Sequence, residues 1–304
     1  MKILKYLSIF TLIFSIFLGT FFNFEDLAKN RQPLKIENHY FLRADLHMHT
    51  RFSDGFLSPL DLVLLAKRKN LQIIGITEHN LVWPSKIAVW FSKLVDGPIV
   101  LTGQEVTSKK QHIIALGINS AIDWDQPQEK ILDKIHEQGG IAIAAHPVSR
   151  YHKNFLSVSE KLDGAEVFHP VAFSLIQSSK WNWRSMIDFY TAAKIRSSKL
   201  SAIGSSDYHF FSGLGECFTW VVSTNIDERT ILKAIQDGDT FVEDHLGNFH
   251  GNPKWIARFR NLKVNEDSQK MGPFLLIKAL NVMSWLSLCF LLLSGLRKSV
   301  AINP

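Results

Sequence analysis

Short apolar runs alternate with amphipathic stretches through the middle of this chain. Apolar runs rich in Ile, Val and Ala are typical of β-strands, and here they begin at residues 40, 73, 99, 141, 164, 200 and 217, with a hairpin through 112–116. The predicted helices between them cover 59–69, 83–94, 127–138, 181–198 and 226–237. Ser58 and Pro59 are well suited to begin the first helix. Strands that alternate with helices in this way predict a β/α barrel.

Side chains of the kinds that bind metal ions follow the predicted strands. In His47-Met48-His49 the two histidines alternate, and a strand directs alternate side chains to the same face. The full set of such residues is His47, His49, Asp54, His79, Glu105, His112, His146, Asp207 and His209. Because the carboxyl ends of the parallel strands meet at one mouth of a barrel, we expect these side chains to converge there.

The order of these blocks is more specific than any one of them. His-x-His, Ser-Asp-Gly, Thr-x-His-Asn, Gly-x-Glu, His, Ala-His-Pro and Asp-x-His follow one another between residues 43 and 245. In this order they resemble the PHP family, the polymerase and histidinol phosphatase superfamily of metal-dependent phosphoesterases. The resemblance implies a distorted, seven-stranded (β/α)7 barrel with a cluster of two or three divalent metal ions.

The resemblance also implies how the ligands divide among the ions. His47, His49, Glu105 and Asp207 would hold one metal, and Asp54, His79 and His209 would hold a second. Glu105 would bridge to a third metal, which His112 and His146 would complete.

The donor types agree with this implied cluster on independent chemical grounds. Imidazole and carboxylate ligands suit Mn, Zn or Fe better than Ca or Mg, and no thiolate takes part. Clustered dications lower the pKa of bound water and neutralise phosphate charge, so we expect hydrolysis of a phosphoester by a metal-bridging hydroxide. Asp54 or a ligand histidine such as His209 is a candidate to manage the proton of the leaving group. Arg150, four residues after His146, is a candidate to bind the phosphate through a bidentate fork.

Two further polar residues near these blocks need a separate interpretation. The family commonly has Asp immediately before the histidine of its second block, where this chain has Glu78. We interpret Glu78 as a residue that orients a ligand, not as a lost ligand. His169 ends the strand that begins at 164, and the favoured interpretation is a polar cap outside the metal cluster.

The preferred function is hydrolysis of a phosphomonoester of the nucleotide or sugar phosphate type. A nuclease or phosphodiesterase acting on nucleic-acid ends could use the same metals, although no aromatic or basic strand-binding groove is evident near the site blocks. A noncatalytic, membrane-tethered metal sensor is the alternative from another class. Pseudoenzymes usually lose ligands, and all nine positions are filled here, which favours catalysis.

Composition restricts the partners only weakly. The chain has 304 residues, 46% of them hydrophobic, and a formal net charge of +6, enough for one sizeable domain with appendages. The positive charge suits a phosphorylated small molecule or anionic lipids but is not evidence for nucleic-acid binding. Two cysteines, Cys217 and Cys289, predict no disulfide. No protein partner can be inferred.

The two ends of the chain are apolar and predict membrane attachment. We divide the sequence into a signal sequence or anchor (1–22), a linker (23–38), the metallo-phosphoesterase domain (39–252), a basic juxtamembrane segment (253–272) and a transmembrane helix (273–298). Lys2, Lys5, Arg297 and Lys298 favour cytoplasmic termini and an extracytoplasmic barrel. The basic, aromatic stretch 255–263 would then lie on anionic headgroups.

Overall fold

The computed structural model describes residues 3–11, 13–14, 32–169, 183–209, 213–244, 246–261, 283, 286–287 and 290. These residues belong to two units. One comprises Asn30–Lys263, and the other combines Met1–Lys29 with Val264–Pro304. All of the elements named below belong to the first unit.

Within the described residues, eleven strands form one mixed sheet. The strands are β1 (Leu34–Ile36), β2 (His39–Asp45), β3 (Ile73–Ile76), β4 (Ile99–Thr107), β5 (His112–Leu116), β6 (Ile141–Ala144), β7 (Gly164–Phe168), β8 (Ser201–Gly204), β9 (Thr219–Ser223), β10 (Thr240–Glu243) and β11 (Phe249–Gly251). Their order is β11-β10-β9-β2-β3-β4-β5-β6-β7-β8, with β1 paired to β2. The pairs β2–β3, β3–β4, β6–β7 and β7–β8 are parallel, whereas β5 is antiparallel to both of its neighbours.

Helices connect the strands and cover the outside of the sheet. They are α1 (Pro59–Arg68), α2 (Trp83–Leu94), α3 (Gln128–Glu137), α4 (Ser149–Ser157), α5 (Trp183–Arg196), α6 (Glu228–Gln236) and α7 (Pro253–Arg260), with a 3-10 turn at Ser159–Lys161. The predicted start of α1 is confirmed, because the Ser58 hydroxyl accepts a hydrogen bond from the backbone N–H of Asp61 at 3.1 Å and Pro59 takes the first helical position. Asp227 caps α6 in the same way through Thr230.

The sheet curls until β8 faces β9 and β10, and side chains join them there. The Thr219 hydroxyl lies 2.9 Å from both the N–H and the C=O of Gly204. The Thr240 hydroxyl donates to the carbonyl of Ala202 at 3.0 Å. A Cβ on Gly204 would lie 2.8 Å from the carbonyl oxygen of Phe218, so this close approach requires glycine. The barrel is therefore closed at this point by hydroxyl groups instead of a continuous backbone ladder.

The core fills the barrel interior and the layer between the sheet and its helices. Strands β3 and β6 are buried along their whole length, which explains why their sequences are continuous apolar runs instead of alternating ones. A separate aromatic cluster lies under α7, where Trp255 and Phe259 pack on Phe41, Trp220 and Phe241. This packing fixes α7 on the domain.

The observed elements match the predicted barrel in its main features, and the α/β barrel-like sheet is confirmed. The seven-strand count is not, because strands β1, β10 and β11 were not predicted and neither was helix α4. Residues 34–36, assigned to the linker, form β1. The stretch expected on lipid headgroups differs in its aromatic rings: Trp255 is buried because it packs on Phe41, whereas Lys254 and Arg260 are exposed.

The flanking membrane helices receive no support from the structure. Among the residues that the model describes, no helix combines the length and the apolarity needed to cross a bilayer. The segments 1–22 and 273–298 lie largely outside the described residues. Their insertion into a membrane therefore stays a prediction.

Candidate metal centre

The centre is built first from the residues that follow β2. Met48 forms an isolated parallel bridge with Tyr208, and the His49 N–H donates to the Tyr208 carbonyl at 2.9 Å. This bridge brings the segment after β2 next to the segment after β8. As a result the Nε2 atoms of His47 and His49 lie 3.1 Å apart, and Asp207 Oδ1 lies 3.2 Å from the first and 3.1 Å from the second.

These three distances fit a shared metal ion. Ligands about 2.0–2.2 Å from one ion lie roughly 2.8–3.6 Å from each other in octahedral or tetrahedral geometry. Glu105 completes the set, since its Oε1 lies 3.6 Å from His47 Nε2 and its Oε2 lies 3.6 Å from His49 Nε2. Two imidazoles and two carboxylates are also donors that Zn, Mn and Fe accept. The residues present therefore fit a divalent transition-metal ion.

A second group of ligand atoms lies at the more exposed side of the cluster. Asp54 Oδ2 is 3.3 Å from His79 Nε2, and Asp54 Oδ1 is 3.1 Å from His209 Nε2. His49 joins them, with its Nδ1 3.7 Å from Asp54 Oδ1. The four ligand atoms that these residues offer all lie within 4.8 Å of one another.

Asp54 reaches this position through a tight loop after His49. The N–H groups of Ser53 and Gly55 both donate to the carbonyl of Thr50. A Cβ on Gly55 would lie 2.2 Å from the His49 carbonyl oxygen, so the loop closes only with glycine there. The Ser-Asp-Gly block is thus a structural unit that places one carboxylate.

Glu105 is at the centre of a third group, on the side of β5 and β6. His112 Nδ1 lies 2.9 Å from Glu105 Oε1, and His146 Nε2 lies 3.3 Å from the same oxygen. His47 Nε2 is also close enough for His47, Glu105 and His146 to form a potential metal-binding group. Glu105 additionally contacts His79, whose Nδ1 is 2.7 Å from Oε2.

The structure brings all nine residues of the predicted set together, and their assignment as ligands stays a prediction. The grouping differs from the implied one in that His49 contacts both the first and the second groups, and His47 both the first and the third. His169, which we expected to be a cap, lies inside the cluster. Its side chain is buried, and its Nε2 is 3.0 Å from Asp207 Oδ2.

Glu166 on β7 is a further residue that sequence reasoning missed. Its Oε1 accepts from His47 Nδ1 at 2.9 Å and from the Ser205 hydroxyl, and its Oε2 accepts from the backbone N–H of His146. With a metal ion bound, a carboxylate at Nδ1 would keep the proton on that nitrogen and leave Nε2 to bind the ion. The available signal was a charged residue within a strand that is otherwise apolar.

Two more buried carboxylates hold the loops of the site. Glu78 accepts from the N–H of Thr50 at 2.9 Å and from the hydroxyls of Thr50 and Ser53, so it supports the loop that carries Asp54. These contacts of Glu78 are with the loop and not with the cluster, in line with the interpretation that it orients a ligand. The second carboxylate, Asp45, accepts from the N–H of Ser206 at 2.9 Å.

The mixture of carboxylates and imidazoles shifts several pKa values. Burial raises the pKa of Glu105, but the positive charge of His47 and the hydrogen bonds of His112 and His146 hold it well below its usual range. Burial lowers the pKa of His79, and its hydrogen bonds to Asp54 and Glu105 outweigh that effect and raise it to about 10. Carboxylates that stay ionised while buried are the charge complement of bound cations.

The cluster is deep on one side and open on the other. His47, Glu105 and His146 are buried, whereas the Asp54 side chain is 53% exposed and His79 and His209 are partly exposed. Arg150 lies near the deep side, on α4, which begins shortly after His146. Its guanidinium lies 4.5 Å from the ring centroid of Tyr151, and that ring in turn lies 5.7 Å from His112.

A barrel with imidazoles and carboxylates clustered at one mouth defines a site that could hold divalent metal ions, and similarity to known proteins identifies the family. The model of the PHP domain matches residues 45–199, so the chain belongs to the PHP domain family. An uncharacterized protein of Methanocaldococcus jannaschii is 33% identical over 146 residues, which cover 42% of this chain and 82% of that protein.

One solved structure is similar over most of the chain. It is a two-domain protein of Bacteroides vulgatus that contains a predicted PHP-like metal-dependent phosphoesterase. The match covers 71% of this chain and 68% of that one, with a TM-score of 0.55 and 18% sequence identity. At this identity the similarity supports the fold alone.

Proposed function

We propose that this protein hydrolyses phosphomonoesters with the help of two or three divalent metal ions, of which Mn, Zn and Fe fit the donors best. The observation that carries the proposal is the mutual distance of 3.1 to 3.2 Å among His47 Nε2, His49 Nε2 and Asp207 Oδ1. Imidazoles and a carboxylate converge in this way where they share an ion. Membership of the PHP domain family supports the same reaction class.

The proposed ligands fall into three sets, one for each ion. His47, His49, Asp207 and Glu105 would hold one ion, Asp54, His79 and His209 a second, and His112 and His146 would complete a third around Glu105. Divalent ions in these positions would lower the pKa of water and neutralise charge on the phosphate oxygens. His169 supports the first set, because its Nε2 contacts Asp207 Oδ2 at 3.0 Å.

Groups near the cluster are suited to bind the phosphate and to move a proton. Arg150 belongs to the first turn of α4, and its fork can donate two hydrogen bonds to phosphate oxygens. At the open side, Asp54 and His209 lie 3.1 Å apart. We propose that one of these two residues hands a proton to the leaving alcohol, since both side chains are accessible from the open side of the cluster.

The test uses purified full-length protein supplied separately with Mn, Zn or Fe. Hydrolysis of p-nitrophenyl phosphate and of bis(p-nitrophenyl) phosphate is measured, together with bound metal. We expect metal-dependent hydrolysis of the monoester that is lost in the His47→Ala, Asp207→Ala double variant and retained in His136→Ala, which alters a histidine outside the cluster.

Each other result has a defined meaning. Preferential hydrolysis of the diester would replace the phosphatase proposal with a nuclease or phosphodiesterase. Stoichiometric metal without turnover of either ester would contradict catalysis and favour a metal sensor. Membrane attachment with the barrel outside the cytoplasm is a separate proposal, which rests on the apolar ends of the sequence alone.

A further inference from the structure

A pair of exposed aromatic rings stands beside the open side of the metal centre. Phe52 and Trp83 are 42% and 46% exposed, and their ring centroids lie 4.5 Å apart. The ring planes are inclined at 61°, so the pair forms a corner and not a closed stack. Single exposed aromatic residues are common on protein surfaces, but two in contact beside a reactive centre call for an explanation.

The two rings come from the two segments that supply the exposed ligands. Phe52 is two residues before Asp54, and Trp83 is four residues after His79. The Cα atoms of Phe52 and Asp54 are at most about 7 Å apart, because two residues of chain span no more than that. Asp54 Oδ2 lies 3.3 Å from His79 Nε2. The rings are therefore close enough for a molecule whose phosphate reached Asp54 and His79 to contact them with its remaining part.

The backbone that carries each ring is held in place by hydrogen bonds or by helix α2. The N–H of Arg51 donates to the carbonyl of Leu57 at 2.8 Å, and the Ser53 hydroxyl donates to Glu78, so hydrogen bonds fix the chain on each side of Phe52. Trp83 is the first residue of α2, and Pro84 follows it in a buried position. Rings presented on fixed backbone lose little further freedom when a ligand stacks on them.

We infer that Phe52 and Trp83 bind the planar ring of the substrate's alcohol, which makes nucleoside monophosphates the substrate class. This inference rests on the proposed function and chooses within it between nucleotides and plain sugar phosphates. A bare sugar presents hydroxyls that need hydrogen-bond partners, whereas Phe52 has no polar side-chain atom and Trp83 has a single indole N–H. Every purine and pyrimidine base presents a π face, which can stack on aromatic side chains.

The test compares two substrates that differ only in the base. We would measure kcat/KM of the metal-loaded, full-length protein for adenosine 5′-monophosphate and for ribose 5-phosphate, and take the ratio of the two values. The ratio is independent of the fraction of protein that is folded and loaded with metal. The variants are Phe52→Ala, Trp83→Ala and Trp83→Phe, with Trp90→Ala as the control.

Trp90 is a matched control because it lies two turns further along the same helix and is 61% exposed. In the wild type the nucleotide should be the better substrate. Trp83→Ala should lower the ratio by about 5- to 100-fold, the usual effect of losing one stacked base, and Phe52→Ala should lower it in the same direction. Trp83→Phe should keep a ratio close to that of the wild type, because it retains an aromatic ring. Trp90→Ala should leave the ratio within twofold of the wild type.

The opposite results separate this inference from the proposed function. A wild-type ratio near one, or ratios in both alanine variants within twofold of the wild type, would overturn the aromatic site while leaving the phosphatase intact. If neither substrate is hydrolysed, the proposed function fails, and calorimetric titration with the same two compounds decides the aromatic site. Tighter binding of the nucleotide that Trp83→Ala abolishes would support it, and equal binding of both compounds would reject it.

Discussion

Glu166 offers the sharpest test of how the metal centre is held, through the substitution Glu166→Gln. The wild-type carboxylate accepts from three donors: His47 Nδ1, the Ser205 hydroxyl and the His146 N–H. Glutamine has almost the same shape but one of its two acceptor oxygens becomes an NH2 donor. Whichever way the amide turns, one of these buried donors loses its acceptor.

The size of the effect follows from the two possible orientations. If the amide NH2 faces the His146 N–H, a buried donor is left unsatisfied, which costs about 1–3 kcal/mol of folding free energy. If it faces His47, then Nδ1 must become the acceptor, and the proton moves to Nε2, where it blocks a metal ligand. Loss of such a supporting carboxylate typically weakens metal binding by about 10- to 100-fold, which equals about 1.4–2.8 kcal/mol.

The assay is calorimetric titration of metal-stripped protein with Zn or Mn, together with thermal unfolding of the stripped protein. Glu160→Gln is the control, because Glu160 is an exposed residue of the same charge and size in the 3-10 turn before β7. We expect weaker metal binding or lower stability in Glu166→Gln and no change in the control. If Glu166→Gln binds metal within threefold of the wild type and unfolds at the same temperature, the reasoning about the His47 tautomer is refuted.

Three further predictions concern stability. Gly55→Ala should destabilise the fold by about 1–3 kcal/mol in chemical denaturation, because its Cβ would lie 2.2 Å from the His49 carbonyl oxygen; unchanged stability would contradict the tight loop. The hydrogen bond to Asp163 raises the pKa of His136, so its stabilising effect is complete below about pH 6.5 and is lost as pH rises through the raised value. His136→Gln should therefore cost about 0.3–1 kcal/mol in urea unfolding at pH 5.5 and less at pH 9, and equal costs would contradict the ion pair. Chelation should lower the unfolding temperature, and metal at a hundred times its dissociation constant should restore about 2.7 kcal/mol; an unchanged temperature would argue against a bound ion.

Much of the barrel and the convergence of the nine predicted residues could be read from the sequence, for a local reason. A ligand at the end of a strand is marked by its own position, since a run such as Ile141–Ala144 ends at a turn that carries His146. The short alternation of His47 and His49 is equally local. Periodicity also located α2 to the residue.

The features that were missed depend on contacts between distant segments. Glu166 lies in β7 and His169 follows its last residue, and nothing in that spacing shows that His169 reaches Asp207 and Glu166 reaches His47. Three-residue strands such as β11 carry too few residues for a period to be visible. In helix α7 the sequence showed the basic residues but could not show that Trp255 packs inward, because that depends on the distant Phe41.

The ligand groups come from opposite ends of the domain's sequence, and this has a consequence for how the protein matures. The hydrogen bond between Asp45 and the N–H of Ser206 closes a separation of 161 residues. During synthesis His47 leaves the ribosome well before Asp207 and His209 have been added, and a loop of that length closes only after both ends exist. The early part of the nascent chain therefore holds an incomplete set of ligands. An ion that needs the complete set can be held only by the finished domain, so we expect metal loading at the last stage of maturation.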